Sequence, residues 1–168
     1  TEQDTKIAGI AHERGKGVII AVNKWDAVEK DDKTIYKYTG KIRDALSYMP
    51  YARLLFISAK TGQRLEKLFD IIDVVIENHS RRIATGVVNE IITEACAMNQ
   101  PPSDKGKKLK ILYTTQVGVK PPTFVIFVND RDLMHFSYLR YLENKIREAF
   151  GFEGTPIKFF VRERSEKK

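Results

Sequence analysis

A chain of 168 residues with 42% hydrophobic residues has apolar mass for one packed domain or two small ones. No apolar run approaches the ~18 residues of a membrane span, and the first residues carry neither a basic start nor an apolar signal core, so a cytoplasmic location is expected. The formal net charge of +7 is unevenly held: residues 1–79 carry 13 Lys and Arg against 12 Asp and Glu, residues 80–168 carry 16 against 10, which points to an acidic polymer as partner of the second half.

The first half alternates helix and strand. Thr5 to Arg14 reads as a helix leading into an apolar strand, Val18 to Val22, which ends in Asn23-Lys24-Trp25-Asp26. Asp31 and Asp32 supply an acidic start for a helix from about Lys33 to Tyr48, and a second strand, Arg53 to Ser58, runs into Ser58-Ala59-Lys60. From Gln63 to Asn78, Leu65, Leu68, Phe69, Ile72, Val75 and Ile76 recur at helical spacing and predict one broad apolar face against the sheet. Repetition of strand, helix and strand implies an α/β unit with a parallel sheet.

The rhythm breaks at Asn78-His79-Ser80-Arg81-Arg82, which places a domain boundary near Ser80. Val87, Val88, Ile91, Ile92, Ala95 and Cys96 then mark a helix stopped by Asn99-Gln100-Pro101-Pro102, and a basic loop follows from Ser103 to Lys108. Alternation of Leu109, Ile111, Tyr113 and Thr115 predicts a strand, and Phe124 to Val128 a more buried one. A helix carrying Leu139, Leu142, Ile146 and Ala149 ends at Gly151 and Gly154, before a last strand with Ile157, Phe159 and Val161 on one face and Lys158 and Arg162 on the other. The order is helix, strand, strand, helix, strand.

The tetrad at 23–26 and the triplet at 58–60 both fall at carboxyl ends of strands, where open α/β sheets place ligands. Their residue types suit guanine, which pairs an O6 acceptor with N1–H and N2–H donors. Asp26 can accept from both donors, Asn23 can hold the loop and the base edge, the Lys24 stem can lie along the purine face, and the amide of Ala59 would point at O6, with Ser58 and Lys60 completing the second loop. Adenine would leave those groups unpaired. No Gly-x-x-x-x-Gly-Lys-Ser/Thr occurs: Gly9 to Gly15-Lys16-Gly17 has the wrong spacing and no hydroxyl.

These motifs resemble the second half of a GTPase domain. The runs Thr1-Glu2-Gln3-Asp4, Tyr113-Thr114-Thr115-Gln116-Val117, Lys120-Pro121-Pro122-Thr123-Phe124-Val125, Phe127-Val128-Asn129-Asp130, His135-Phe136-Ser137-Tyr138 and Phe150 to Ile157 extend the likeness to nearly the whole chain. It resembles the carboxyl-terminal part of the EngA (Der) family, with two tandem GTPase domains and a KH-like domain. The resemblance implies an incomplete P-loop-GTPase-type parallel sheet over residues 1–79, followed by a KH-like α+β domain over 80–168. It further implies GTP or GDP as ligand through the guanine moiety only, a role in assembly of the large ribosomal subunit, and contacts with ribosomal RNA and with the other GTPase domains of the same protein. Phosphate loop, switches and magnesium ligands are absent from these residues, so the chain reads as a piece of a longer protein, magnesium would enter only through the missing half, and no catalytic residue is assigned. The competing reading is a stand-alone KH-like binding module with a vestigial nucleotide-domain remnant.

Gly151-Phe152-Glu153-Gly154 matches the GxxG of RNA-clamping KH domains, but it lies between a helix and the last strand and carries an acid, so it reads as a helix stop. RNA contact falls instead to Lys105, Lys107, Lys108 and Lys110 around the basic loop and to Arg162, Arg164, Lys167 and Lys168 in the tail. His12, His79 and His135 lack ligand-spaced companions, which argues against a metal site. Trp25 is expected to bury against the sheet, and Asp130 with Asp132 to cap a turn. The strand at 18–22 would have its far edge bare, which invites self-association through that edge.

Overall fold

The computed structural model describes residues 1–164. It divides into two compact units, Thr1–His79 with Phe152–Pro156, and Ser80–Gly151 with the stretch from Ile157 onward.

In the first unit, α1 (Glu2–Glu13) opens on a capping box in which the Thr1 side chain accepts from the Asp4 amide and the Asp4 carboxylate accepts from the Thr1 ammonium. β1 (Ile19–Val22) pairs in parallel with β2 (Arg53–Phe56), Ile20 opposite Leu54 and Val22 opposite Phe56. The crossover between them is α2 (Thr34–Ala45), whose approach is held by Asp31: its Oδ1 accepts from the Lys33 amide and the Thr34 hydroxyl. α3 (Leu65–His79) completes the unit. The core gathers Leu46, Met49 and Ala52 with Ala8, Val18, Ile20, Ile42 and Tyr51 around them.

The buried stripe of α3 runs through Ile71, Val75 and Asn78, while Phe69 and Ile76 are 66% and 58% exposed. This corrects the expectation of one broad buried face. A sheet of two strands is too narrow to cover an apolar stripe of that width.

A second correction concerns Phe152–Pro156, which the sequence assigned to the second domain. Gly154 donates its amide to the Tyr51 carbonyl and accepts the Val18 amide at 2.7 Å, closing the start of the β1–β2 pair. The Arg53 guanidinium meets the Glu153 carboxylate at 2.6 Å, and the Asn78 amide donates to the Glu153 carbonyl. Gly154 is therefore no helix stop; its φ is +80° and a Cβ there would lie 2.2 Å from Val75 Cγ2. Gly151 alone caps the preceding helix.

In the second unit, α4 (Thr85–Met98) is followed by a two-stranded hairpin, β3 (Ser103–Asp104) and β4 (Lys107–Lys108), where the sequence suggested a loop. Lys105 and Gly106, at φ +49° and +78°, form its turn, the left-handed pair that matches strand twist. β5 (Ile111–Gly118), β6 (Thr123–Val128) and β7 (Lys158–Glu163) form a sheet in that order, β5–β6 antiparallel and β6–β7 parallel, the latter crossover supplied by α5 (Phe136–Phe150). Phe124, Ile126 and Val128 are fully buried on one face, together with Thr114 across the strand pair. Asn89 of α4 bonds both the amide and the carbonyl of Thr114, which satisfies that residue's backbone groups on the outer edge of β5.

Among the described residues, β1 has one strand neighbour. Along its other edge runs a groove of about 600 Å³ lined by Thr1, by Asp4 and Thr5 of α1 and by Tyr38, Lys41 and Ile42 of α2. The amides of residues 19–22 are expected to exchange with deuterium much faster than those of 124–128 in dilute monomer. Equal protection in a proven monomer would mean that another element covers the edge. Gly154→Ala should cost about 2–4 kcal/mol in urea unfolding, from left-handed strain plus overpacking on Val75. A loss under about 1 kcal/mol would show that the close approach is not kept in solution.

Candidate functional site

Parallel pairing of β1 and β2 sets the two candidate loops side by side, because Val22 and Phe56 end their strands in register. The pairing continues one step further, with the Ile57 amide donating to the Val22 carbonyl and the Trp25 amide to the Ile57 carbonyl. Trp25 begins a short 3-10 turn, Trp25–Ala27, and is 3% exposed, its ring 4.5 Å from Phe56 and edge-on to Tyr38 at 5.5 Å. Burial of this indole anchors the loop and leaves the neighbouring Lys24 and Asp26 exposed.

Asn23 Oδ1 accepts the Ala59 amide at 3.0 Å and the Lys24 amide at 2.7 Å. Lys24 takes the left-handed conformation at φ +60°, and that turn aims the chain back toward the second loop. Ser58 is fully buried; its hydroxyl donates to Asp26 Oδ1 at 2.6 Å and accepts from the Thr61 amide. The Gly62 amide donates to the Ser58 carbonyl, and Ser58 bridges Gln63, so the second loop is closed on itself. Ala59 and Lys60 are exposed beside it.

The six residues singled out from sequence are thus brought to one place, with one difference in role. The Ala59 amide, expected to point at a base O6, donates instead to Asn23, because that side chain lies across the gap between the loops. Asp26 remains exposed with its Oδ1 held by Ser58, and that hydrogen bond is the main cause that holds its carboxyl below the ordinary value; Lys60 and Lys30 act in the same direction. Lys30 is the residue that sequence reasoning passed over: its ammonium lies 5.4 Å from the Trp25 ring centroid and its charge reaches Asp26. No motif marks it, since it follows the tetrad by four residues in a loop. A fixed carboxylate with an acceptor edge to solvent and flanking ammonium groups suits a planar ligand with paired N–H donors.

The basic residues of the second unit separate into two places. Lys107 meets Asp130 at 2.8 Å and Lys108 reaches Gln100, both on the hairpin, while Lys105 occupies its turn and Lys110 follows it. Asp130 also caps the short turn Arg131–Leu133 by accepting from the Asp132 amide. Arg162 and Arg164 belong to β7 and its continuation; Lys167 and Lys168 lie outside the described residues.

Residues 82–162 match the family described as KH-domain-like of EngA bacterial GTPase enzymes, C-terminal. The GTPase Der of Lachnoclostridium phytofermentans is 74% identical over 166 residues, 99% of this chain and 38% of that protein. The chain belongs to the EngA (Der) family, as its carboxyl-terminal part. The Der of Agathobacter rectalis is 73% identical over the same shares, and that of Desulfitobacterium hafniense 60% identical over the whole of this chain and 38% of its own length. The chain therefore spans well under half of the Der proteins it matches. A solved Aquifex aeolicus Era bound to GDP.AlF4- covers 89% of this chain and 56% of its own at a TM-score of 0.30 and 17% identity, a likeness too loose to bear on fold or function.

Because the Ser58 hydrogen bond favours the ionised form, Asp26 should hold its charge to lower pH than an ordinary aspartate and lose it as pH falls through its own pKa. In Ser58→Ala the midpoint of the Asp26 carboxyl, followed by carbon NMR, is expected to rise. An unchanged midpoint would show that the bond does not form in solution.

Proposed function

We propose that this part of a Der protein supplies guanine recognition to a GTPase domain and an RNA-contacting KH-like unit to the same molecule. The observation that carries the reading is the placement of Asp26: its carboxylate stands exposed, oriented by buried Ser58, next to a loop tied across by Asn23. Asn23, Lys24, Asp26, Ser58, Ala59 and Lys60 form the base pocket in this reading. Asp26 accepts from N1–H and N2–H, and the Lys24 stem covers one purine face. A small rotation of Asn23 away from the Ala59 amide would release that donor for O6.

Phosphoryl transfer and magnesium belong to residues outside this chain, because no phosphate-loop motif stands in it. Binding of GTP or GDP by the whole protein, assistance to large-subunit assembly, and contact with ribosomal RNA through the basic second unit make up the functional reading. Its support is the Der family relationship together with the charge excess of residues 80–168.

Calorimetry of the chain with GDP and with ADP tests the base pocket. GDP is expected to bind more tightly, and Asp26→Ala to reduce GDP affinity roughly 10- to 100-fold, the range of hydrogen bonds to a charged group. Binding that ignored base identity, or that was unchanged in Asp26→Ala, would remove the assignment.

A further inference from the structure

The sheet of the second unit has two faces of opposite character. One buries Thr114, Phe124, Ile126 and Val128. The other is read from the register: Tyr113 stands opposite Phe127 and Phe127 opposite Arg162, Val125, which is buried, stands opposite Phe160, and Thr123 opposite Lys158. Tyr113 is 40% exposed and Phe160 50% exposed. The Tyr113 and Phe127 rings lie 6.2 Å apart, and the Arg164 guanidinium sits 6.0 Å over the Phe127 ring. No acidic residue shares that face on β6 or β7.

We propose that this face is a stacking platform for single-stranded RNA, with Tyr113, Phe127 and Phe160 receiving bases and Lys158, Arg162 and Arg164 receiving phosphates. The inference rests on the reading that the second unit contacts RNA, and names the surface that does so. A folded unit gains nothing by leaving a phenylalanine of the edge strand β7 half in water, whereas an aromatic surface interleaved with cations accepts any base by its π-face and the backbone by charge. Charge complementarity favours this face over the hairpin. There, Lys107 is paired with Asp130 and lies in the field of Glu163 and Asp132, so part of its charge is already answered. On the sheet face Arg162 and Arg164 flank an aromatic ring instead.

The test uses the whole 168-residue chain with a fluorescein-labelled 12-nucleotide oligoadenylate carrying 2-aminopurine, and a duplex of the same length. The single strand is expected to bind more tightly than the duplex, with quenching of 2-aminopurine. Phe160→Ala and Tyr113→Ala should each weaken binding roughly 5- to 100-fold with the salt slope unchanged, and Arg162→Ala should lower the slope by about 0.7. Phe160→Trp should bind at least as well as the parent, while Phe160→Leu, which keeps apolar bulk and loses the ring, should behave like Phe160→Ala. Urea midpoints identify any variant that has lost its fold.

If Phe160→Ala and Tyr113→Ala bound like the parent while Lys105, Lys107 and Lys108 replaced together by Ala lost affinity, the hairpin would be the RNA site and the platform would fall, with the RNA reading intact. Preference for the duplex, or aromatic variants that altered self-association but not RNA affinity, would also overturn it, the latter assigning the face to a protein. Absence of binding by the parent to either oligonucleotide would remove the RNA reading itself.

Discussion

The candidate site of the first unit depends on one parallel strand pair, because β1 and β2 bring loops more than thirty residues apart into hydrogen-bonding distance. Asn23 and Asp26 leave the end of one strand, Ser58 and Ala59 leave the end of the other, and the bonds Asn23 to Ala59 and Ser58 to Asp26 cross between them. Neither loop is regular enough to hold its own shape. Trp25 buried on Phe56 fixes the first, and the Ser58–Gln63 bridge closes the second. These contacts hold the polar groups of both loops in place, and the one buried hydroxyl among them, that of Ser58, donates to Asp26 and accepts from the Thr61 amide.

The strand pair is in turn held from its other end by Phe152–Pro156. Gly154 enters between Tyr51 and Val18 where no other residue would fit against Val75, so a segment far along the sequence completes the first unit. The candidate loops stand at the carboxyl ends of β1 and β2, and Gly154 at their amino ends. The supporting segment and the candidate site thus lie at opposite ends of the same two strands, with Lys24, Asp26, Ala59 and Lys60 exposed and Ser58 and Trp25 buried.

The second unit divides its work between the faces of a single sheet. Burial of Phe124, Ile126 and Val128 gives stability, and at the outer edge of β5 Asn89 takes up the amide and carbonyl of Thr114. The opposite face buries Val125 but leaves Tyr113 and Phe160 partly exposed beside cationic residues, a pattern that suits a partner surface.

Period and punctuation in the sequence determined most of the elements, the parallel order of the first half, the helix-strand-strand-helix-strand order of the second, and the six residues of the candidate base pocket. These follow from local rules: apolar spacing of 3.6 or 2, acidic residues at helix starts, and polar loops at strand ends. What the sequence could not show was decided by contacts distant along the chain. Gly154 reads locally as a helix stop, yet its amide and carbonyl belong to strands at 18 and 51; Phe69 and Ile76 read as core, yet two strands cannot cover them; Ala59 reads as a donor to a ligand, yet Asn23 reaches it first. The pairing of Tyr113 with Phe127 and Arg162 likewise exists only in the register of three strands. Local propensity reports what a residue can do, while the partner it does it with is chosen by packing, which is non-local by nature.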